Sequence, residues 1–143
     1  MRFMMIVKAD KDSEAGKLPT EAALDAMAKY NEELAKAGVL LEGVGLQASS
    51  KGARITRKDG KVRVIDGPFA ETKELIAGYW MIQVRNRQEA IEWAKRIPFE
   101  HIPEVDGPGV IELRQVFELD DFGQSEAVER HRKLEKQVAK QHA

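Results

Sequence analysis

The stretch Asp66-Gly67-Pro68-Phe69-Ala70-Glu71-Thr72-Lys73-Glu74 sets four charged side chains around one aromatic anchor. Gly67 permits unusual dihedrals, Pro68 fixes φ, and Phe69 can plug into a core. A rigid loop with converging carboxylates suits proton transfer on a small molecule. Asp66 is then the candidate catalytic carboxylate, with Phe69, Glu71 and Lys73 beside the substrate. A clamp is the other reading, with Asp66 accepting from backbone amides and Lys73 solvating Glu74. Both readings stand at this level. His101 is a candidate second acid or base, provided its loop folds over the same cleft. Arg114 could hold an anionic group, and Glu112 could orient it.

Other chemistries find no support. The chain has no cysteine, which removes disulfides, thiolate nucleophiles and sulfur-ligated metals together and points to a cytoplasmic setting. Ser13, Ser49, Ser50 and Ser125 lie in no nucleophile-elbow pattern. Gly43-Val44-Gly45-Leu46-Gln47-Ala48 imitates a dinucleotide fingerprint but belongs to a strand that leads into a hairpin. Asp121-Phe122-Gly123 lacks every other kinase element. His101, Glu104 and Asp106 are scattered loop residues of the kind usually solvated, so neither a metal nor a cofactor is expected. With 23 basic against 24 acidic side chains, nothing draws the protein to nucleic acid. The apolar run Met1 to Val7 is too short to anchor in a membrane, and Lys8 and Asp10 close it.

The elements that must position these residues follow from periodicity. Residues 1–9 read as a buried strand, and the turn-rich stretch Asp10 to Pro19 separates them from a helix capped by Thr20. Leu24, Met27, Ala28, Asn31, Leu34 and Ala35 form its inner stripe, and Gly38 stops it. Val39 to Gln47 returns as a strand. Ala53 to Lys58 and Lys61 to Asp66 flank Asp59-Gly60, a hairpin signature. Ala77 to Val84 is a strand, and Asn86 with Glu89 resembles a capping box for a helix that Pro98 ends near Ile97. After a loop holding Pro103, Gly107, Pro108 and Gly109, Val110 to Leu119 forms the last strand. Its Ile111, Leu113 and Phe117 should meet the helices, leaving Val110, Glu112, Arg114 and Val116 opposite. Ser125 to His142 could add a charged helix with a thin stripe of Val128, Leu134 and Val138. Residues 1–123 thus make one α+β domain, with 124–143 a charged helix or tail.

Without the inserted hairpin the order is βαββαβ, the ferredoxin-like arrangement, with both helices on one face of an antiparallel sheet. The other face should then be polar, yet Phe3, Met5 and Val7 alternate with Met4 and Ile6, and Tyr79 and Met81 alternate with Trp80, Ile82 and Val84. A sheet-to-sheet homodimer is the simplest cover, and the hairpin and tail folding back over their own sheet is the alternative. Glu112 and Arg114 would face that interface, as would Glu42, and would pair with each other, with the second copy or with a ligand.

DGPFAETKE, followed by AGYWMIQV, an EAIEWA helix and a closing GVIELRQVFELDDFG, resembles the DGPF or YCII-related family across residues 1–123. The resemblance implies a small dimeric α+β barrel. Some family members look like companions of extracytoplasmic-function sigma factors, and an acid–base His and Asp pair has been suggested for the YCII-like branch. No histidine precedes His101 here, so Asp66 alone carries over. Gln115 stands where the family commonly has proline after the arginine, and the loop bearing His101 is longer than usual. Two functions are therefore expected to compete. One is acid–base catalysis on a small organic molecule in a dimer cleft, and the other is a non-catalytic ligand-binding or regulatory dimer.

Overall fold

A computed structural model describes residues 1–143 as a mixed α+β protein. Four strands form one antiparallel sheet in the order β2-β5-β1-β6: β1 (Arg2–Lys8), β2 (Leu40–Gly45), β5 (Ile76–Gln83) and β6 (Ile111–Gln115). β3 (Ala53–Lys58) and β4 (Lys61–Asp66) make a separate two-stranded hairpin. Asp59 and Gly60 both take positive φ, +52° and +75°, as its two-residue turn requires.

The helices begin where side chains can satisfy their orphan amides. Thr20 Oγ1 accepts from the Ala23 amide to start α2 (Glu21–Lys36), and Gly38 at φ +75° turns the chain out of it. Asn86 Oδ1 accepts from the Glu89 amide at the head of α3 (Arg87–Lys95). The return bond of the expected capping box is displaced by one residue: the Glu89 carboxylate accepts from the Arg85 amide and guanidinium, both at 3.0 Å. Ser125 caps α4 (Glu126–Gln141). The turn-rich stretch after β1 holds one further short helix, α1 (Lys11–Glu14), closed by reciprocal Asp10 and Ser13 bonds.

One face of the sheet meets α2 and α3. Phe3 and Met5 of β1 and Trp80 and Ile82 of β5 pack with Tyr30 and Leu34 of α2, Ala90 of α3, and Ile97 and Ile102 beyond it. The Tyr30 ring stands edge-on to Trp80, with centroids 5.4 Å apart, and its hydroxyl donates to the Trp93 carbonyl at 2.7 Å. The indole N–H of Trp80 donates to Asn31 Oδ1 at 2.6 Å.

Two expectations change on this framework, and β2 adds a bulge while keeping Glu42 on the expected face. A register shift between Leu40 and Glu42 sets Leu40 opposite Ile82 on the core face, while Glu42 and Val44 lie opposite Met81 and Tyr79 on the other. The last strand stops at Gln115, and Phe117 is 68% exposed rather than packed under the helices. Arg2 draws the chain away there, donating to the Phe117 carbonyl at 3.2 Å and to the Glu118 carboxylate at 3.0 and 3.2 Å. Leu24 is solvent-exposed although it shares the helical stripe of Met27 and Leu34.

Leu34 is fully buried at the centre of this core. Leu34→Ala should cost about 2–5 kcal/mol, read as a lower midpoint at unchanged slope in urea unfolding.

Candidate functional site

The loop after β4 is built around one close approach. The Gly67 amide donates to the Gly52 carbonyl at 3.1 Å, and a Cβ on Gly67 would lie only 1.8 Å from the Ser49 carbonyl oxygen. Glycine is the one residue that fits. Ser49 is itself held by Glu14, whose carboxylate accepts from its amide and its hydroxyl, both at 2.9 Å. The same hydroxyl accepts from the Phe69 amide at 3.0 Å. Phe69 does not enter the core: it is half-buried at the root of the hairpin, with the Arg54 guanidinium 3.9 Å above its ring. Lys73 pairs with Asp106 at 2.8 Å instead of Glu74, tying this loop to the one after α3. That bond and the attraction of Lys73 lower the Asp106 pKa from the ordinary carboxylate range.

Asp66 closes β4 opposite Ala53 and is exposed, as are Glu71 and Lys73. Glu112 and Arg114 lie on the sheet face away from the helices, opposite Ile6 and Met4. Glu112 sits between two cations, 3.9 Å from Lys8 and 3.4 Å from Arg114. Tyr79 shares this face with Glu42, and its phenol pKa is raised by burial and by the neighbouring carboxylate.

His101 lies elsewhere. The short turn Phe99–His101 sets it beside a groove of about 340 Å³ at the sheet end where β2 stops and β5 starts. Val7, Trp80 and Gly43 border the groove from the sheet, Leu24, Met27 and Asn31 from α2, and His101 and Pro103 from the loop. Neither Asp66 nor Arg114 belongs to its lining, so the expected catalytic pair is not brought together. His101, Glu104 and Asp106 form no metal-binding cluster.

Comparison with known families matches a YCII-related domain to residues 1–120. The chain belongs to the YCII-related family. A relative from Rhizobium meliloti (strain 1021), an uncharacterised protein, is 29% identical over 75 residues. That match covers 52% of this chain and 60% of the relative's length.

In this YCII-related chain the groove is what sequence reasoning missed, although a signal was present. Gly43 and Gly45 interrupt β2, and Gly78 lies opposite Gly45 on β5. Glycine inside a strand marks close backbone approach or room for a ligand. A Cβ on Gly78 would lie 2.6 Å from the Val44 carbonyl, and one on Gly43 would lie 3.0 Å from the Trp80 indole. Asn31 carries a second signal. An indole N–H only donates, so the amide oxygen must face Trp80, and the Asn31 NH₂ has no partner within the chain.

Gly67→Ala should cost about 2–4 kcal/mol in denaturant unfolding. Gly52→Ala should stay within about 0.5 kcal/mol, because its Cβ would sit at an ordinary 3.6 Å from the same Ser49 oxygen.

The two tyrosines, Tyr30 and Tyr79, both have raised pKa values, chiefly through burial. Absorbance titration should show both ionising at higher pH in the folded protein than in the unfolded chain, Tyr30 the later of the two, and Glu42→Gln should bring the Tyr79 step down. An unfolded chain ionises these phenols first. The stability they add is therefore full below that ordinary range and is lost as pH rises through the folded values.

Proposed function

We propose that this YCII-related protein is a homodimer that binds a small, largely apolar organic molecule in the groove beside His101. The observation that carries this reading is the groove's composition. Its volume of about 340 Å³ is at the small end of ligand pockets, which span about 300–1,000 Å³. Its walls are mostly apolar, from Val7, Leu24, Met27 and Trp80, while the imidazole of His101 and the free Asn31 NH₂ supply hydrogen-bonding groups. Such walls suit a compact aromatic or branched aliphatic body, and the Asn31 donor suits an oxygen acceptor at its polar end.

The homodimer is supported by the pattern on the sheet face away from α2 and α3, whose Met4, Ile6, Tyr79 and Met81 are half-buried. Register puts Glu42, Met81, Met4 and Arg114 in one row across the four strands, and Val44, Tyr79, Ile6 and Glu112 in the next. A twofold axis parallel to the strands reverses each row. Glu42 then meets Arg114 of the second copy, and Met81 meets Met4. The apolar middle of the patch then covers itself, and Glu42 at one edge faces Arg114 at the other, where Arg114 also stands beside Glu112. We read the strand order as ferredoxin-like and the pair of sheets as the dimeric barrel that this architecture forms.

Catalysis is the second reading, favoured by an ionisable imidazole lying within an apolar groove. Proton transfer would then rest on His101, while Asp66 belongs to the root of the hairpin.

Wild-type protein is titrated with a panel of small phenols and aromatic carboxylic acids, following Trp fluorescence and melting temperature. At 100-fold excess over the dissociation constant, a binder should stabilise the fold by about 2.7 kcal/mol. His101→Ala should weaken binding about tenfold or more, and Asp66→Asn should leave it unchanged. A panel without binders, or a histidine variant that binds normally, refutes the groove. Conversion of a bound compound, lost in His101→Ala, would establish the catalytic reading. Separately, Glu42→Arg should shift the species seen by light scattering toward monomer, and adding Arg114→Glu should restore the dimer. A monomeric wild type refutes the dimer.

A further inference from the structure

The β3–β4 hairpin forms a sheet of its own, apart from the four-stranded one. A lone two-stranded hairpin is marginal in water, and this one is exposed along its whole length. Register gathers Ile55, Val64 and Val62 on one face, 67%, 66% and 65% exposed, with Arg57 opposite Val62 and Asp66 at the root of the same face. The opposite face carries Arg54 beside Ile65, and it is rooted on the body by the Arg54–Phe69 stack. The close packing of Gly67 on Ser49 keeps that root rigid. An apolar face of this kind, held outward, is an interaction surface rather than part of the protomer's own core.

Its charge says what it meets. Lys51, Arg54, Arg57, Lys58, Lys61 and Arg63 line the hairpin, against Asp59 and Asp66, and none of these eight forms an ion pair within the chain. The complementary surface occurs in the same molecule. Residues 100–112 contain Glu100, Glu104, Asp106 and Glu112 with no lysine or arginine, and Val105 and Val110 are exposed among them. Glu100 and Glu104 are likewise without ion-pair partners.

Topology places the two surfaces where a dimer brings them together. The hairpin leaves the sheet after Gly45 of β2, at one edge, and the 103–110 loop enters it at Ile111 of β6, at the other edge. Both lie at the same end, because Gly45 pairs with Gly78, Val7 pairs with both Gly78 and Ile111, and Lys73 reaches Asp106. A twofold axis parallel to the strands lays the β2 edge over the β6 edge of the second copy while keeping these ends level.

Resting on the homodimer reading above, we propose that the β3–β4 hairpin is an exchanged arm. It lays Ile55, Val62 and Val64 against Val105 and Val110 of the second copy, with its basic rim on that copy's Glu100 and Glu104. The segment it grips also carries His101 and Pro103, which line the groove. Each arm therefore steadies the ligand-binding loop of the other copy, and ligand binding and dimerisation favour each other.

The absence of cysteine makes the test direct. A Val62→Cys chain and a length-tagged Val110→Cys chain are mixed, allowed to exchange and mildly oxidised. The expected product is a disulfide-linked heterodimer of mixed length, formed in preference to either like-with-like product. Light scattering of the same mixture before oxidation separates the outcomes. A dimer that yields no mixed product overturns the arm and leaves the homodimer standing, whereas a monomer overturns both. Ile55→Lys provides a second measurement, because so exposed a residue has little to lose within the protomer. The dimer dissociation constant should rise tenfold or more, while the melting temperature of the dilute monomer stays within a degree or two. An unchanged dissociation constant overturns the arm.

Discussion

A pleated strand shows alternate side chains to opposite faces, and a single layer of helices hides only one of them. β1 and β5, the two central strands, are apolar on both. Phe3, Met5, Trp80 and Ile82 are buried beneath α2 and α3, while Met4, Ile6, Tyr79 and Met81 occupy the far side. Those last four are half-buried, and α4 comes near the Arg2 end of that side while leaving Leu134 and Val138 exposed. Burial of apolar area is the largest favourable contribution to folding and to association. How that far side is covered therefore governs how the rest of the molecule is read.

The DGPF stretch takes its meaning from that frame. Its glycine is required by contact with the Ser49 carbonyl, its phenylalanine by a stack with Arg54, and its lysine by a pair with Asp106. Each contact joins the hairpin to the body or to the loop after α3. The motif thus holds the hairpin to the body, and no helix of the molecule is long and apolar enough to cross a membrane. The groove beside His101 is separate from this joint, although the Lys73–Asp106 pair links the two loops.

Charge placement follows the same economy. Glu112 lies between Lys8 and Arg114, so the acidic and basic residues on the far face of β6 are not stranded. Glu42 stands at the opposite edge beside Tyr79. Surface ion pairs of this kind contribute little to the stability of one chain, typically about 0–1 kcal/mol.

Local pattern by itself determined the α+β class, the six strands, the two packing helices and the Asp59-Gly60 hairpin, because apolar periodicity and turn chemistry act between residues close in the chain. It also placed Glu112 and Arg114 on the face away from the helices. Only the tertiary structure decided the rest. The bulge at Leu41 moved Leu40 to the opposite face from Glu42, Arg2 pulled Phe117 off the sheet, and Lys73 chose Asp106 over its neighbour. Asp66 and His101 came to rest in different places for the same reason. A residue's partners across the fold depend on register and on contacts tens of residues apart, and periodicity carries no record of either.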